Sequence, residues 1–575
     1  MRLRKIAVEG FRALRQIEIA PADYTVLVGE NAAGKSSLVH ALRLLFDVEA
    51  RELVSQLTED DINHDALRAG SREFTVKVEV GALERHPELR AAFDRSIAKD
   101  GTEQYVTVLG AYRVDPSDPQ GELEWSVFVM PPPGSQADMI PFTSRMARLI
   151  PLYFLSAVRD AARETRPTGR GLLGRLLDDL SLDDVATQLK TAVAGVNSQL
   201  LASAGLSQLG NDLTQLIEPL LVGGTGQLRF ALAAEDIASI VKALRLLLQT
   251  GTVPMDFARH ATGTQNLVLV GLFRHLVQRA VGVFPILVCE EPESHLHPSA
   301  QRRLARDLAA LPGPTIVTTH SPVIVERTLP TSIVRLSGRM SGVSAHQWKS
   351  VGVQERTDFA QFIRSGRSDA VFARAIVLVE GESEAIALPA FAKQLGLDLD
   401  RDGVCIVRAD SNAFGCLLRA LGVDALNIPV VVTYDTDALS HDKKLLQAAE
   451  AAGLLTPVAI AVVGGTSEER KALLDGIGWL GAVENFEGEV CAAGYGPTAL
   501  AAIASSGRAQ SFETFLQTNG LARDGTGAAK YIVSDAGKRL KVSLARAVAD
   551  AVPTVQQVPA CYKLALETAI RMATT

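Results

Sequence analysis

The feature that most constrains this 575-residue chain is an eight-residue loop near its start. Residues 29–36 read GENAAGKS and match the pattern G-x-x-x-x-G-K-[ST] in full. The apolar run Tyr24–Val28 precedes the loop, and Lys35–Phe46 follows it with helical spacing. A strand, a glycine-rich loop and a helix in this order are typical of a phosphate-binding loop. We therefore expect an α/β protein that binds a nucleotide.

The residues of this loop have separate expected tasks. Glycines let backbone N–H groups wrap the phosphates, and the helix N-terminus adds favourable partial charge. Lys35 is expected to reach the β- and γ-phosphates, and Ser36 to offer its hydroxyl to Mg²⁺. The predicted nucleotide contacts in this segment are Gly29, Asn31, Gly34, Lys35, Ser36 and Ser37.

A second element, PILVCEE, ends an apolar strand in two carboxylates. This pattern suits a magnesium-holding acid, Glu290, followed by a base that polarises water, Glu291. Taken alone, it is equally an exposed acidic turn after a core strand. About thirty residues later TIVTTHSP ends another strand at His320, which we expect to reach a γ-phosphate.

The distribution of strand-like and helical runs along the chain predicts four parts. Residues 1–165 and 251–355 alternate strand-like and helical runs, and we interpret them as two parts of one ATPase domain. Between them, residues 166–250 carry Leu and Ala at helical spacing, as in DIASIVKALRLLLQ, which predicts a helical insert. The segment around 355–372 is interpreted as a connector. Residues 372–575 then alternate apolar strands with helices, which favours a parallel, covered sheet.

Acidic residues follow two strands of this last part. Residues 376–384 read IVLVEGESE, and residues 430–437 read VVVTYDTD, with Asp435 lying 55 residues after Glu380. Carboxylates at the C-terminal ends of parallel strands converge on one crevice, so we expect Glu380, Glu384, Asp435 and Asp437 to meet. Acids this close repel each other, and hard oxygen ligands suit Mg²⁺ or Mn²⁺. The alternative is a set of strand-end acids that cap helices.

Composition sets only wide limits. With 47% hydrophobic and 21% charged residues, the chain predicts a globular protein of several domains. The net charge of −7 argues against a chain coated in Lys and Arg, but a local basic groove or a metal-bridged phosphate still allows nucleic acid as a partner. Five scattered cysteines without zinc spacing indicate ordinary thiols. The chain has neither a signal-like start nor a membrane-spanning run, so we expect a cytoplasmic protein without membrane contact.

The order of GENAAGKS, PILVCEE, PESHLHP and TIVTTHSP resembles the ABC-type ATPases of chromosome maintenance, most closely those of the OLD (overcoming lysogenization defect) family, including its Gabija type. The resemblance implies that two ATPase heads sandwich ATP and Mg²⁺ in a homodimer or higher homo-oligomer, with the insert in dimerisation. A signature segment from one head would cover the nucleotide of the other. The candidate is ATGTQ, where Thr262, Gly263 and Gln265 are the expected contacts. It departs from the usual Ser-Gly-Gly pattern.

The VEGExE and DTD elements resemble the Toprim domain, a Rossmann-like parallel sheet, as it occurs C-terminally in OLD nucleases. By that resemblance the site holds two Mg²⁺, Mn²⁺ or Ca²⁺ ions, with Glu484 in AVENFEGE as a further ligand and Glu487 as the alternative. Lys541 would stabilise charge on the phosphate, with Lys538 as the competing assignment. The catalytic set would then be Glu291, His320, Glu380, Asp435, Asp437 and Lys541.

The resulting hypothesis is an ATP-regulated, metal-dependent DNA endonuclease or nickase, which the resemblance associates with phage defence or DNA repair. A separately encoded helicase is a further partner that the resemblance allows. The alternative is an ATP-switched DNA-binding or scaffolding protein whose Toprim domain does not cut. A topoisomerase or primase is disfavoured because the cysteines lack the spacing of a primase zinc region.

Overall fold

The structure is a computed structural model of the chain, and it describes most of the 575 residues. The described residues are 1–47, 51–114, 123–168, 171–178, 187–188, 191–192, 194–196, 198–199, 202–217, 244–249, 254–280, 282–339, 342–348, 353–409, 414–422, 424–435, 458–463, 485–551 and 554–574.

Strands β1 to β19, in chain order, are Arg2–Phe11, Leu14–Ile19, Tyr24–Val28, Phe74–Gly81, Ala98–Asp100, Glu103–Val114, Leu123–Val129, Ile140–Pro141, Leu152–Leu155, Leu247–Leu248, Met255–Asp256, Ile286–Glu290, Thr315–Thr318, Ile333–Arg339, Gly342–Gln347, Ala375–Val379, Val404–Arg408, Val430–Asp435 and Val458–Val463. The α-helices are Lys35–Phe46, Arg51–Ser55, His64–Arg68, Pro87–Phe93, Ser144–Leu149, Ala161–Glu164, Leu172–Asp178, Ala204–Ile217, Thr262–Arg279, Pro298–Ala309, Pro322–Val325, Val353–Phe362, Glu382–Gln394, Leu399–Asp402, Phe414–Leu421, Phe486–Val490, Gly496–Ser505, Ala509–Asn519, Gly525–Val533, Lys541–Asp550 and Ala560–Thr574.

The N-terminal region places one helix between two sheets. One sheet, in the order β2-β1-β4-β6-β7-β8 with β5 on β6, is antiparallel, and alternate residues of β1 such as Ile6 and Val8 are buried. The other runs β15-β14-β3-β13-β12-β9 and is parallel from β14 to β9. Helix Lys35–Phe46 buries Leu38, Leu42 and Phe46 in a core shared by both sheets. This core holds the phosphate-binding loop at the C-terminal end of β3.

The C-terminal region is built on a four-stranded parallel sheet in the order β17-β16-β18-β19. All five residues of β16 are buried, because helices cover both faces of the sheet. Helix Ala560–Thr574 packs against β16, β18 and β19, and helix Glu382–Gln394 packs against helix Lys541–Asp550. The predicted α/β class with a covered parallel sheet is confirmed.

The segment interpreted as a connector is a packed element. It forms helix Val353–Phe362, a π-helical turn Ile363–Arg367 and a 3₁₀ turn Ser368–Phe372. Phe359, Ile363 and Val371 are at most 1% exposed and belong to a core that also contains Val26 of β3 and Ile376 of β16. Their apolar side chains fill the space between the two sheets, so the regions share one continuous core.

The prediction of a helix is wrong near the C-terminal end of the insert, at Leu247–Leu248. The run DIASIVKALRLLLQ has helical spacing, yet Leu247–Leu248 is a short strand that pairs antiparallel with Met255–Asp256. Backbone pairing with that second strand outweighs helical propensity here. Helices Leu172–Asp178 and Ala204–Ile217 agree with the prediction, and residues 218–243 lie outside the described residues.

Two expectations from composition bear on the described residues. Within the described ranges, no helix combines the length and apolar character needed to cross a membrane. The described cysteines Cys289, Cys405, Cys491 and Cys561 are not joined to one another by disulfide bonds.

Candidate nucleotide and metal sites

Backbone geometry forces glycine at both ends of the phosphate-binding loop. Gly34 caps helix Lys35–Phe46 with a φ of +85°, a left-handed conformation that side chains other than glycine rarely adopt. At Gly29 a Cβ atom would lie 2.3 Å from the carbonyl oxygen of Leu336. The loop is therefore pressed against β14, and its N–H groups open toward the helix N-terminus.

Lys35 lies buried inside this loop. Its Nζ donates hydrogen bonds of 2.7 Å to the carbonyl oxygens of Gly29 and Glu30, and the residue is 6% exposed. Burial lowers the pKa of Lys35 to about 8, against the opposing effect of Glu291 and Glu30. The ammonium is thus held where β- and γ-phosphate oxygens would replace the two carbonyls as acceptors.

Ser36 and Glu290 come together, as the sequence predicts for a magnesium site. The Ser36 hydroxyl donates to the Glu290 carboxylate. Burial raises the pKa of Glu290, and the hydrogen bond from Ser36 opposes that rise. Asn31 is exposed and Ser37 half-buried on the same loop and helix start. A serine hydroxyl and a carboxylate within contact are the oxygen donors that Mg²⁺ takes beside phosphates.

Glu291 and His320 face each other beyond the strand ends. His320 Nε2 lies 3.9 Å from Glu291 Oε1, and Glu291 has a φ of +40°, a strained conformation for a residue with a side chain. Burial, together with the charge of Lys35, lowers the pKa of His320. The imidazole of His320 and the carboxylate of Glu291 thus lie next to each other at the C-terminal ends of β13 and β12.

Sequence reasoning missed Glu293, which holds His320 in place. One carboxylate oxygen of Glu293 accepts from the Thr319 hydroxyl at 2.5 Å and from the His320 backbone N–H at 3.1 Å. Burial raises the pKa of this 8%-exposed side chain. The acid in PESHLHP was visible as a signal, but nothing in the sequence indicated its inward direction.

Arg159 and Asn266 were also missed, and together they form a clasp across the site. Arg159 donates to the carbonyl oxygens of Glu290 at 3.0 Å and Glu291 at 3.4 Å, and to the Asn266 side chain. Asn266 Nδ2 donates to the carbonyl oxygens of Pro292 and Ser294 at 3.1 and 2.6 Å. The clasp thus joins the main chain of the two acids to the helix that follows the signature segment.

The signature candidates begin helix Thr262–Arg279. Thr262 lies with Arg159, Glu291 and His295 in the lining of one cavity of about 500 Å³. A Cβ atom on Gly263 would lie 2.7 Å from the His295 carbonyl oxygen, so the helix start packs tightly on the loop after Glu291. The Gln265 amide donates at 2.8 Å to the Ala258 and His260 carbonyl oxygens of its own chain.

In the C-terminal sheet, two predicted acids lie at the ends of neighbouring strands. Glu380 directly follows β16, and Asp435 is the last residue of β18. The two strands pair in parallel, with Val379 opposite Thr433, so both acids are at the same edge. The side chain of Asp435, and Asp437 and Glu484 as a whole, lie outside the described residues.

Glu384, Glu487 and Lys541 form the described part of this site. Glu384 is 4% exposed and Glu487 is 1% exposed, and Lys541 Nζ lies 3.6 Å from Glu487 Oε2. The pKa of Glu384 is raised to about 7, chiefly by burial; the charges of Glu487 and Glu380 contribute to the rise and Lys541 opposes it. Of the two lysine candidates, Lys541 is at the acids, whereas Lys538 pairs with the exposed Asp535 at 3.0 Å.

These acids fit a divalent cation in their chemistry. Two carboxylates buried in mutual repulsion are stabilised by a cation between them, and oxygen donors are those that Mg²⁺ and Mn²⁺ prefer. Within the described ranges, no three His, Cys, Asp or Glu side chains already stand as a ligand group. Completing such a group requires the acids after β18.

Two family models match the chain. The family described as AAA domain, putative AbiEii toxin, Type IV TA system, matches residues 24–326, which is more than half of the chain. The family described as Overcoming lysogenization defect protein-like, TOPRIM domain, matches residues 371–437.

Curated relatives cover most of the chain. The OLD nuclease of Thermus scotoductus is 25% identical over 460 residues, 77% of this chain and 83% of that protein. Escherichia coli YbjD is 26% identical over 446 residues, 74% of this chain and 78% of that protein. Endonuclease GajA of Bacillus cereus is 20% identical over 447 residues, 74% of each chain. The predicted resemblance is confirmed: the chain belongs to the family described as AAA domain, putative AbiEii toxin, Type IV TA system, and its C-terminal region matches the Toprim domain of overcoming lysogenization defect-like proteins.

Proposed function

We propose that the protein is an ATP-regulated, Mg²⁺- or Mn²⁺-dependent DNA endonuclease or nickase. The observation that carries the proposal is the pair of buried acids Glu384 and Glu487, with the half-buried Lys541 beside them, at the carboxyl edge of a parallel sheet. Two buried acids beside a lysine suit a phosphodiester better than a neutral substrate, because the lysine complements phosphate and the acids complement its metal. The three relatives named above include two nucleases.

Each described residue has a place in this proposal. Glu380, Glu384, Asp435 and Asp437 would hold the cation, with Glu484 as a further ligand by resemblance and Glu487 as its alternative. A bound Mg²⁺ or Mn²⁺ supplies Lewis-acid stabilisation of the phosphate and a water of lowered pKa. Lys541 presents its ammonium to the phosphoryl oxygens. Glu487 keeps that ammonium directed at the crevice.

The nucleotide site is proposed to regulate cutting. Lys35, Ser36 and Glu290 would bind ATP and Mg²⁺, with Glu291 as base and His320 at the γ-phosphate. Thr262 and Gly263 would contact the nucleotide of a second copy, which makes the active form a homodimer. Gln265, the third predicted contact of this segment, donates its amide to two carbonyl oxygens of its own chain. A role in phage defence or DNA repair, with or without a helicase partner, extends the same proposal.

The test is incubation of the purified protein with supercoiled plasmid and Mg²⁺ or Mn²⁺. The proposal expects nicked or linear product from the wild type and from Lys35→Ala. It expects none from Asp435→Ala or Glu384→Gln. Intact plasmid with the wild type under both metals contradicts it.

A second candidate function is an ATP-switched DNA-binding or scaffolding protein, which the departure of ATGTQ from the usual Ser-Gly-Gly signature favours. This candidate expects ATP-dependent DNA binding in a mobility-shift assay together with intact plasmid. The same plasmid experiment therefore separates the two.

A further inference from the structure

Arg374 joins the phosphate-binding loop to the first strand of the Toprim sheet. It directly precedes β16, and its guanidinium donates to both oxygens of the Glu30 carboxylate, with Nε–Oε1 at 2.7 Å and Nη2–Oε2 at 2.5 Å. Glu30 is the second residue of GENAAGKS, and its carbonyl oxygen also accepts from Lys35 Nζ. A single loop residue thus contacts the phosphate-binding lysine and the start of the nuclease sheet.

Arg335 makes a second connection at the same boundary. It lies on β14 opposite Val28 of β3 and is 4% exposed. Its guanidinium donates to the carbonyl oxygens of Leu426 and Asn427 at 3.3 Å and of Ala373 at 3.1 Å. All three acceptors are main-chain atoms just before β16 or β18. Arg335 therefore fixes the backbone where these two strands begin.

Strands β16 and β18 connect the arginine contacts at their starts to the acids Glu380 and Asp435 at their ends. β16 runs from Ala375 to Val379 and is followed by Glu380, and β18 runs from Val430 to Asp435. They are hydrogen-bonded neighbours, and every residue of β16 is buried. Strands rise about 3.3 Å per residue, so the arginines and the acids are separated by the length of one stiff element. A displacement of the strand starts inside such a packed core reaches their ends.

The alternative is that these contacts are static and only hold two packed regions together. An exposed ion pair contributes little to stability, and Arg374 and Glu30 are both partly exposed. Stability is thus a poor reason for a two-point hydrogen bond on this loop. What distinguishes the pair is its place, because the Glu30 carbonyl oxygen is one of the two acceptors that Lys35 would give up for phosphate oxygens.

We propose that Arg374 and Arg335 are positioning residues that couple the nucleotide loop to the nuclease acids. Phosphates draw the Lys35 ammonium away from the Gly29 and Glu30 carbonyls, the loop shifts, and Glu30 carries Arg374 with it. Arg335 anchors the starts of both β16 and β18 to β14, so the pull on Arg374 tilts the two strands about that anchor and moves Glu380 and Asp435 at their other ends. This inference rests on the proposed ATP-regulated nuclease, whose direction of regulation it leaves open.

The test compares Arg374→Gln with Arg523→Gln in the full chain. Arg523 also forms an exposed ion pair, with Glu513 at 3.1 Å, but within the Toprim region. For Arg374→Gln we expect wild-type cleavage without ATP and wild-type ATP affinity, and at least a threefold smaller change in cleavage rate on adding ATP. Arg523→Gln keeps the full response.

A second variant guards against misfolding. Glu30→Gln removes the same pair from the other side and is expected to reduce the ATP response in the same way. The swapped variant Glu30→Arg/Arg374→Glu is expected to recover part of it. A full ATP response in Arg374→Gln overturns the proposal, and so does a loss of cleavage in the absence of ATP, because that marks a purely structural arginine.

Hydrogen exchange gives a readout that does not depend on cutting. On adding ATP, amides of 375–380 and 430–435 in the wild type are expected to change their exchange rate, and those in Arg374→Gln to change at least threefold less. If the wild type cuts no DNA but shows this difference, the proposed function fails and the coupling stands. An identical exchange response in both proteins overturns the coupling.

Discussion

The ammonium of Lys541 lies 3.6 Å from a Glu487 carboxylate that is 1% exposed. Lys541 opens its helix at the rim of the acidic crevice, and its own side chain is 36% exposed. The Glu487 carboxylate therefore holds the Lys541 ammonium at the boundary between core and solvent, which is where the proposed substrate phosphate would reach it. Of the lysine candidates Lys541 and Lys538, Lys541 is the one that lies beside these acids, and the choice between Glu484 and Glu487 stays a prediction.

Replacing Lys541 is expected to remove cleavage with little effect on DNA binding. For Lys541→Met we expect the cleavage rate to fall by about 10²–10³, as for the loss of one charge-stabilising donor. Lys538→Met is the matched control, because Lys538 pairs with exposed Asp535 and should retain wild-type activity. Plasmid cleavage rates measure both, and the opposite ranking of the two variants contradicts the assignment.

Weakening the Arg159–Asn266 clasp should slow ATP hydrolysis at an unchanged affinity. Arg159→Lys cannot reach both the acid carbonyls and Asn266, and the loss of a charged hydrogen bond is worth about 1.5–3 kcal/mol. We expect kcat to fall by about 10–100-fold and KM for ATP to stay within about threefold. Arg163→Lys, at a nearby exposed position, serves as control. An unchanged kcat in Arg159→Lys would show that the clasp is dispensable.

ATP affinity should fall as pH rises above about 8. Burial lowers the pKa of Lys35 to about 8, below its ordinary value of 10.5, so the free loop loses the ammonium above that pH. Phosphates bind the charged form, and the dissociation constant should therefore be flat from pH 7 to 8 and rise by up to about tenfold per unit beyond. Titration with a fluorescent ATP analogue measures it. A flat profile from pH 7 to 9.5 would refute the role of burial.

The same pKa gives a sign for stability. The unfolded lysine binds a proton up to its ordinary value of 10.5, whereas the folded one releases it near 8. The buried charge therefore costs stability fully below pH 8, and the cost disappears as pH rises to 10.5. Chemical denaturation of Lys35→Met, which has no charge to bury, should lack this component.

Two glycines on one helix offer a paired test of the signature segment. Gly263→Ala places a Cβ 2.7 Å from the His295 carbonyl oxygen and should push the helix start from the loop after Glu291. Gly271→Ala meets no atom within 4 Å and should stabilise the helix by about 1 kcal/mol. We expect ATPase activity to fall at least tenfold only in the first. Equal activities would mean that the segment tolerates the displacement.

Local patterns in the sequence predict much of the fold and the loop. Tyr24–Val28 and Lys35–Phe46 match the strand and helix read from the residues alone, because alternation and helical periodicity are properties of neighbouring residues. The glycines of GENAAGKS likewise indicate, from the motif alone, positions where the backbone has no room for a side chain. The confirmed OLD resemblance rests on the same local motifs. The assignments of Asp437 and Glu484 stay predictions.

Only the tertiary structure decided which way the charged side chains point and which residues they contact. Nothing near Glu293, Arg159 or Arg374 in the sequence says that they point at His320, at the Glu290 carbonyl or at Glu30. Their partners are distant along the chain, 344 residues apart for Arg374 and Glu30. A charged residue read locally is a surface residue by default, because burying a charge is unfavourable unless partners are present. The sequence by itself determined the motifs of a nucleotide site and of an acidic site. The packing of two sheets around one core decided which residues of the two regions contact each other.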